Sequence, residues 1–339
     1  MSKRFLVTGA GGFVGSHVVD QLLKNPQYEV IGTIRSDNDW VTARRNKKRL
    51  NLVRFDMTDR EAVEQLFKKW ATKDTIVIHT AGLISIENRI KPVVYETNVR
   101  GTQNIIDACI KFKVKRLVYT SSVHAMKEAE KGQTMKEAHK FHPDWVVGGY
   151  AKSKAIATQN MVNARKTGLD VVIVFPSGIT GPGEYGDGNF KQVMLDYLNG
   201  DMITYLAGGY NFVDVRDVAD GTIAAAITPK AKNQNYLLTN QFLEIKKLIE
   251  LLDQIYPDRQ RKLSKMPRWL AYIVADLSEL WSKLRGVPPT FTRYAVHVLN
   301  SNGEFDYTKA KNELDYHPRP ITKTIREAVA WYEKVGLLK

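Results

Sequence analysis

At 339 residues, with 43% hydrophobic and 25% charged side chains, the chain has the composition of a globular protein burying one large core or two closely joined lobes. The single cysteine, Cys109, lies in the apolar run 105–110, which excludes a disulfide framework and a cysteine-rich metal cluster and points to a reducing, cytoplasmic setting with no metal site. No stretch of about 18 apolar residues is present to span a membrane, and the formal charge of +14 comes without any zinc-finger spacing or aromatic–basic recognition motif, so a solvated basic surface or an enzyme for anionic small molecules fits it better than nucleic-acid binding.

Residues 4–8 (Arg-Phe-Leu-Val-Thr) read as a short buried strand that runs into Gly9-Ala-Gly-Gly12-Phe13-Val14-Gly15 and then a helical pattern through Val18, Val19, Leu22 and Leu23. Strand, glycine turn and helix in that order are the setting in which spaced glycines bind a dinucleotide. Gly9 permits the tight turn, Gly12 admits the pyrophosphate to the backbone, and Gly15 lets the helix pack closely. The helix start supplies free N–H donors for phosphate. A second strand, Tyr28–Ile34, ends at Arg35. An acidic residue at this point would bind the ribose 2′-hydroxyl of NAD, whereas an arginine accommodates the 2′-phosphate of NADP. Arg35, with the basic run 44–49 nearby, therefore favours NADP(H) over NAD(H), and Asp37 is the alternative ribose ligand.

A third strand at 51–55 leads to Asp56 and Met57, placed to touch an adenine edge, and a fourth at 75–79 leads to the small residues Thr80, Ala81 and Gly82. Asn98 opens the helix that carries Ile105, Ile106 and Cys109, and a fifth strand, 116–120, ends in Ser121 and Ser122. Alternating strands and helices predict an α/β fold, a doubly wound parallel sheet with helices on both faces. Ligands of such sheets bind at the carboxyl ends of the strands, where these small and polar residues fall.

Tyr150 and Lys154 are four apart, which on a helix puts them on one face. The spacing alone is commonplace on solvated helices. A phenol beside an ammonium group is nevertheless a poised proton donor, its ordinary pKa near ~10 drawn toward neutrality by the cation. The helix is expected to end near Arg165, followed by a strand at 169–175 and then a loop at 176–183, rich in Pro and Gly. A helix is expected from Val218, and 241–310 reads as mainly helical and basic. Within it, Trp269, Ile273, Leu277, Leu280, Trp281 and Leu284 form one stripe over 268–285. Such a stripe is ordinarily core; a membrane-surface or partner-docking helix is the alternative. Thr324 and Glu327 read as a capping box opening the last helix.

Taken together, 8–15 (Thr-Gly-Ala-Gly-Gly-Phe-Val-Gly), 98–102 (Asn-Val-Arg-Gly-Thr), 119–122 (Tyr-Thr-Ser-Ser), 150–154 (Tyr-Ala-Lys-Ser-Lys) and 214–219 (Asp-Val-Arg-Asp-Val-Ala) resemble the extended short-chain dehydrogenase/reductase family in the expected order. The stretches 33–35, 175–182 and 305–318 are similar to its dihydroflavonol-reductase and 3β-hydroxysteroid-dehydrogenase-like branch. The resemblance implies a Rossmann-type domain over 1–175, rejoined by 207–240, a smaller and mainly helical substrate-binding lobe from 176–206 and 241–320, and a C-terminal helix in 321–339. It makes Tyr150 the general acid/base, Lys154 its partner and a ligand of the nicotinamide ribose, and Ser122 the hydrogen-bond donor to the substrate oxygen, with Ser121 supporting the loop. Asn98 matches the family asparagine, Pro176, Ser177, Gly178 and Ile179 match the loop at the nicotinamide end, and Arg35 matches the 2′-phosphate arginine.

The implied activity is NADP(H)-dependent interconversion of a ketone or aldehyde with its alcohol, on a small molecule, by a monomer or homodimer. The alternatives are a nucleotide-sugar epimerase or dehydratase with tightly held NAD, and a cofactor-sensing protein without catalysis. Substrate choice is expected to rest on 83–90, 123–148, 180–205 and 265–300. One scaffold serves many substrates, so the resemblance does not choose among them.

Overall fold

The computed structural model describes residues 3–130, 132–186, 188–285 and 291–339, so residues 131, 187 and 286–290, within segments expected to shape the substrate site, lie outside the described residues. Among the described residues the strands are β1 (Lys3–Thr8), β2 (Tyr28–Ile34), β3 (Leu50–Arg54), β4 (Ile76–His79), β5 (Arg116–Thr120), β6 (Val171–Pro176), β7 (Gly178–Thr180), β8 (Thr204–Leu206), β9 (Gly209–Asp214), β10 (Asn235–Leu238), β11 (Gln241–Glu244) and β12 (Ser264–Met266). Seven of them form one parallel sheet in the order β10-β6-β5-β4-β1-β2-β3. β5 and β6 are buried throughout, as continuous apolar runs should be when helices cover both faces of a sheet. The doubly wound fold is thereby borne out.

Strand order reverses between β1 and β4, where Thr8 pairs with His79. A crevice opens outside the carboxyl ends at such a switch point. Helices Phe13–Leu22 and Val215–Ile227 pack on each other on one face, within the cluster that holds Phe5, Val7, Val18 and Val218. On the other face, Thr102–Lys111 and Gly149–Ala164 bury Ile105, Cys109, Ala155 and Met161. Burial pushes the Cys109 thiol well above its ordinary value, which leaves it un-ionised.

Three expectations are corrected here. The Pro–Gly segment after β6 is not wholly loop, because Gly178–Thr180 is the strand β7, which pairs with β9. The helix expected from Val218 starts at Val215, because Asp214 caps it by accepting from the Arg216 backbone N–H at 2.8 Å. The Thr324–Glu327 capping box does not form: the last helix is Ile321–Lys334, starts after Pro320, and buries Thr324 inside its second turn.

Asp214 also takes two bonds from the Arg216 guanidinium, at 2.8 and 2.6 Å, and Arg216 reaches Glu327 on the last helix. Arg319 is bound in turn to Asp217. Burial alone would raise the Asp214 pKa, but its hydrogen bonds to Arg216 prevail and hold it below the ordinary value. Removing one partner of a buried pair leaves the other charge uncompensated. Asp214→Ala is therefore expected to lower unfolding stability by about 3 kcal/mol, at the low end of that class because Arg216 keeps Glu327, measured by urea titration.

The stripe on helix Arg268–Arg285 is also corrected. Among its described residues only Ala271 and Ala275 are buried, in a small cluster with Val296 and Leu206. Trp269, Ile273, Leu277, Leu280, Trp281 and Leu284 stand in solvent, between 47% exposed at Ile273 and 76% at Leu284. The small alanines face inward, so the large side chains are left outside.

Candidate active site

β1 ends where Gly9 turns with φ of +71°, and an added Cβ there would lie 2.8 Å from the Ala81 backbone. At Gly15 a Cβ would sit 2.1 Å from the Gly9 carbonyl oxygen, so the helix can approach the turn only with glycine at that position. Helix Phe13–Leu22 follows Gly12 without any side-chain cap. Its first N–H groups, those of Phe13, Val14 and Gly15, are left to an outside acceptor. This uncapped helix start at the switch point fits a pyrophosphate.

Beyond β2, Arg35 is exposed, and among the described residues its guanidinium has no ion-pair partner. Asp37 is held instead between Arg45 at 2.7 Å and Arg54 at 3.0 Å. Much of the nearby basic run is similarly engaged: Arg44 binds Asp20, and Arg49 donates to the carbonyls of Leu23, Asn25 and Tyr28. Asn38 had not been singled out. Its side chain donates to the Gly11 carbonyl at 2.8 Å and caps helix Asp39–Arg44, so it ties the glycine turn to the end of β2. An Asn ahead of a helical stretch is the signal that could have found it. After β3, the Asp56 carboxylate accepts from the backbone and hydroxyl of Thr58, and Met57 is buried against Gly101.

At the end of β4, Thr80 donates to the Thr8 carbonyl at 2.7 Å, and Ala81 packs on Gly9. Gly82 lies between Asn98 and Lys154: a Cβ added to it would be 3.3 Å from Asn98 Oδ1 and 3.8 Å from Lys154 Nζ. Asn98 sits in a π-helical turn, Glu96–Gly101, and clamps both backbone groups of Leu83 at 2.7 and 2.8 Å. It also donates to Ser153 Oγ, which donates to the Tyr150 carbonyl. His79, another residue the sequence did not single out, bridges Thr8 and Thr102 and stacks on Tyr119. Burial, with Lys154 nearby, lowers its pKa to about 3, so it is a neutral strut.

Helix Gly149–Ala164 carries Tyr150 and Lys154 on one face, opposite Ser121 and Ser122 at the end of β5. Ser121 is bound to Thr158 at 2.6 Å, while Ser122 Oγ faces Tyr150 and accepts from the His124 N–H at 3.3 Å. Lys154 Nζ donates to the Thr120 carbonyl at 2.8 Å and to Tyr119 Oη at 3.1 Å. Its burial lowers its pKa to about 7. Tyr150 goes the other way, pushed up to about 12 by burial despite the hydrogen bond with Ser122. The expected pull toward neutrality is thus corrected, because a lysine that is itself desolvated and half-neutral near pH 7 brings little positive charge to the phenol.

Past β6, Ser177 is buried with its hydroxyl unpaired among the described residues, and Gly178 lies so close to the Tyr210 ring that a Cβ would approach it to 2.5 Å. Ile179 continues β7, which pairs it with Val213 of β9. Near Tyr150, past His124, lies a cavity of mixed character, walled by Val123, Met126, Met135, Val146 and Phe305 and by the polar Glu128, His297, Ser301, Asn302 and Tyr294. Gly148, at φ of +95°, leaves the space the Tyr294 ring occupies. His124, which by its place after the serine strand reads equally as a site-lining residue or a loop histidine, is the hub. It stacks on Tyr210 at 5.5 Å, meets Tyr150 edge-on at 6.5 Å, and shares a 2.6 Å hydrogen bond with Tyr210 Oη. Burial lowers its pKa to about 4 and keeps it neutral.

Comparison with known proteins agrees with this geometry. Residues 5–238 match the model of the NAD dependent epimerase/dehydratase family. The chain is 29% identical to a putative dihydroflavonol 4-reductase of Synechocystis sp., over 100% of this chain and 97% of that one. It is 27% identical to the decarboxylating sterol-4-alpha-carboxylate 3-dehydrogenase erg26 of Schizosaccharomyces pombe, over 97% of each. Among solved structures, that of gox2253 superposes with a TM-score of 0.81 at 28% identity, covering 100% of both chains. The chain therefore belongs to the NAD dependent epimerase/dehydratase family, and is an NAD(P)-dependent oxidoreductase of the extended short-chain dehydrogenase/reductase type.

Proposed function

We propose that this oxidoreductase uses NADP(H) to interconvert a ketone and its alcohol on an apolar, ring-bearing substrate. The observation that carries the reading is the meeting of Ser122, Tyr150 and Lys154 near a cavity with Val123, Met126, Met135 and Phe305 on its apolar side and Glu128, His297, Ser301 and Asn302 among its polar members. The names of the two relatives carry a dihydroflavonol and a sterol carboxylate, and fused rings suit the apolar side. NADP(H), when bound, supplies or accepts the hydride.

The rest falls to the chain. Gly9, Gly12, Phe13, Val14 and Gly15 would hold the pyrophosphate, Arg35 the 2′-phosphate, and Asp56 and Met57 the adenine edge. Thr80, Ala81, Gly82 and Asn98 would floor the crevice, Lys154 would bind the nicotinamide ribose, and Pro176, Ser177, Gly178 and Ile179 would line the nicotinamide end. In reduction, the Tyr150 hydroxyl gives its proton to the substrate oxygen while Ser122 donates a hydrogen bond to the same atom. The raised pKa of Tyr150 keeps it a phenol at neutral pH, the form a proton donor needs. Segments 176–206 and 241–320 would form the substrate-binding lobe, with 207–240 completing the Rossmann domain.

The test is cofactor consumption, with NADPH and NADH in parallel, against sterol ketones, dihydroflavonols and nucleotide sugars. Ring ketones should be turned over with NADPH preferred. Arg35→Asp should cut NADPH use by roughly 10–100-fold, the scale of a charged hydrogen bond, and spare NADH. Protein that purifies fully loaded with NAD and epimerises nucleotide sugars would refute the reading.

A further inference from the structure

We propose that helix Arg268–Arg285 docks the protein on an anionic lipid surface. Its 18 residues extend about 27 Å at the usual rise. Trp269, Ile273, Leu277, Leu280, Trp281 and Leu284 recur every three or four residues and form a single exposed face. The helix is amphipathic in an inverted sense, with its smallest residues toward the protein and its largest toward solvent. A large apolar patch of that kind marks a binding face.

The charges around it select the occupant. Between Arg259 and Arg285 the chain has seven Lys and Arg against two acids. Both acids are paired: Asp276 binds Arg293, and Glu279 accepts from Asn88 and from the Arg293 backbone N–H. Lys265 and Arg268, just before Trp269 in the chain, and Arg285, next after Leu284, are exposed. Arg285 lies 4.3 Å from the centre of the Trp281 ring, an aromatic–cation pairing suited to the headgroup level of a bilayer. A second copy of the chain would set this basic patch against another like it, and two molecules of formal charge +14 repel. An anionic leaflet meets both needs, since it receives the apolar side chains and neutralises the rim.

Docking also bears on the site. The helix packs against Arg293–Asn300, which contributes Tyr294 and Val298 to the cavity wall. A docked leaflet would therefore lie one helix away from the substrate cavity. The docking argument does not depend on which substrate the cavity takes.

The experiment is co-sedimentation of the full chain with phosphatidylcholine vesicles, and with vesicles of three parts phosphatidylcholine to one part phosphatidylglycerol. Binding should require phosphatidylglycerol, weaken with added salt, and shift tryptophan emission to the blue. The exposed double variant W269S/W281S should bind about tenfold more weakly while keeping its melting temperature and its turnover of a water-soluble carbonyl. Equal uptake by neutral vesicles, no uptake by either, or unaltered binding of W269S/W281S would overturn the proposal. So would a stable dimer of the parent chain that the same double substitution converts to monomer, because the face would then belong to a second copy.

Discussion

Tyr150→Phe should lower kcat for carbonyl reduction by a factor on the order of 10²–10⁴ and leave the affinity for cofactor nearly unchanged. The substitution removes one hydroxyl from a half-buried ring that stays packed beside His124, so the fold loses little. What disappears is the proposed proton donor, and Ser122 alone can only donate a hydrogen bond. The pH profile gives a second readout. With Tyr150 pushed up to about 12, the phenol is fully protonated from pH 6 to 9, and reduction should show no inflection over that range beyond that of Lys154 near 7. Oxidation of the alcohol needs the phenolate, and its rate should climb with pH through the same interval. Tyr150→Phe should abolish that climb along with the activity. Retained reductase activity in the variant, or an oxidation rate indifferent to pH in the parent, would place the proton transfer elsewhere.

Legibility in the sequence follows the range over which each feature is determined. The glycine turn is set within seven residues, and the strand ends are marked by small polar residues directly after apolar runs, so the sheet and the crevice could be read locally. Tyr150, Lys154 and Ser122 were readable because each lies in a contiguous motif. The convergence of His124, Tyr210 and Tyr294 was not. They come from three distant stretches and meet only because Gly148 and Gly178 leave room for two of the rings. His79 likewise gains its meaning from Thr8 and Thr102, on either side of it in the fold. Thr324 and the stripe on Arg268–Arg285 misled for a related reason. A local pattern states that a helix has an apolar face, but which face turns inward depends on what the rest of the chain places against it. The Tyr150–Lys154 electrostatics failed as an expectation because a helical spacing carries no information on burial, and burial is the dominant effect on both groups.

Burial of Lys154 makes a second, independent expectation. Its folded pKa of about 7 lies below its ordinary value near 10.5, so between those limits the unfolded chain holds a proton that the folded chain releases. Stability must then rise with pH across that window, with a slope of up to about 1.4 kcal/mol per pH unit for one proton. His17, His79 and His124, with depressed pKa, titrate below the window, and Glu184 reaches only its lower edge at about 7. The buried Cys109 thiol and Tyr150 enter with the opposite sign, from their ordinary values of 9.0 and 10.0 upward, so Lys154 acts alone between about pH 7 and 9. Lys154→Met removes the titrating group but keeps most of the packing volume. Urea unfolding should then lose its slope between about pH 7 and 9. The variant should gain most over the parent at the acid end of the window, less the contribution of the hydrogen bond to the Thr120 carbonyl. Turnover should collapse at the same time, because the amine that would hold the nicotinamide ribose is gone. A group retained at a cost in stability and needed for turnover fits a functional lysine and not a packing residue. If Lys154→Met kept both the slope and the activity, the lysine would be neither the buried titrating group nor part of the site.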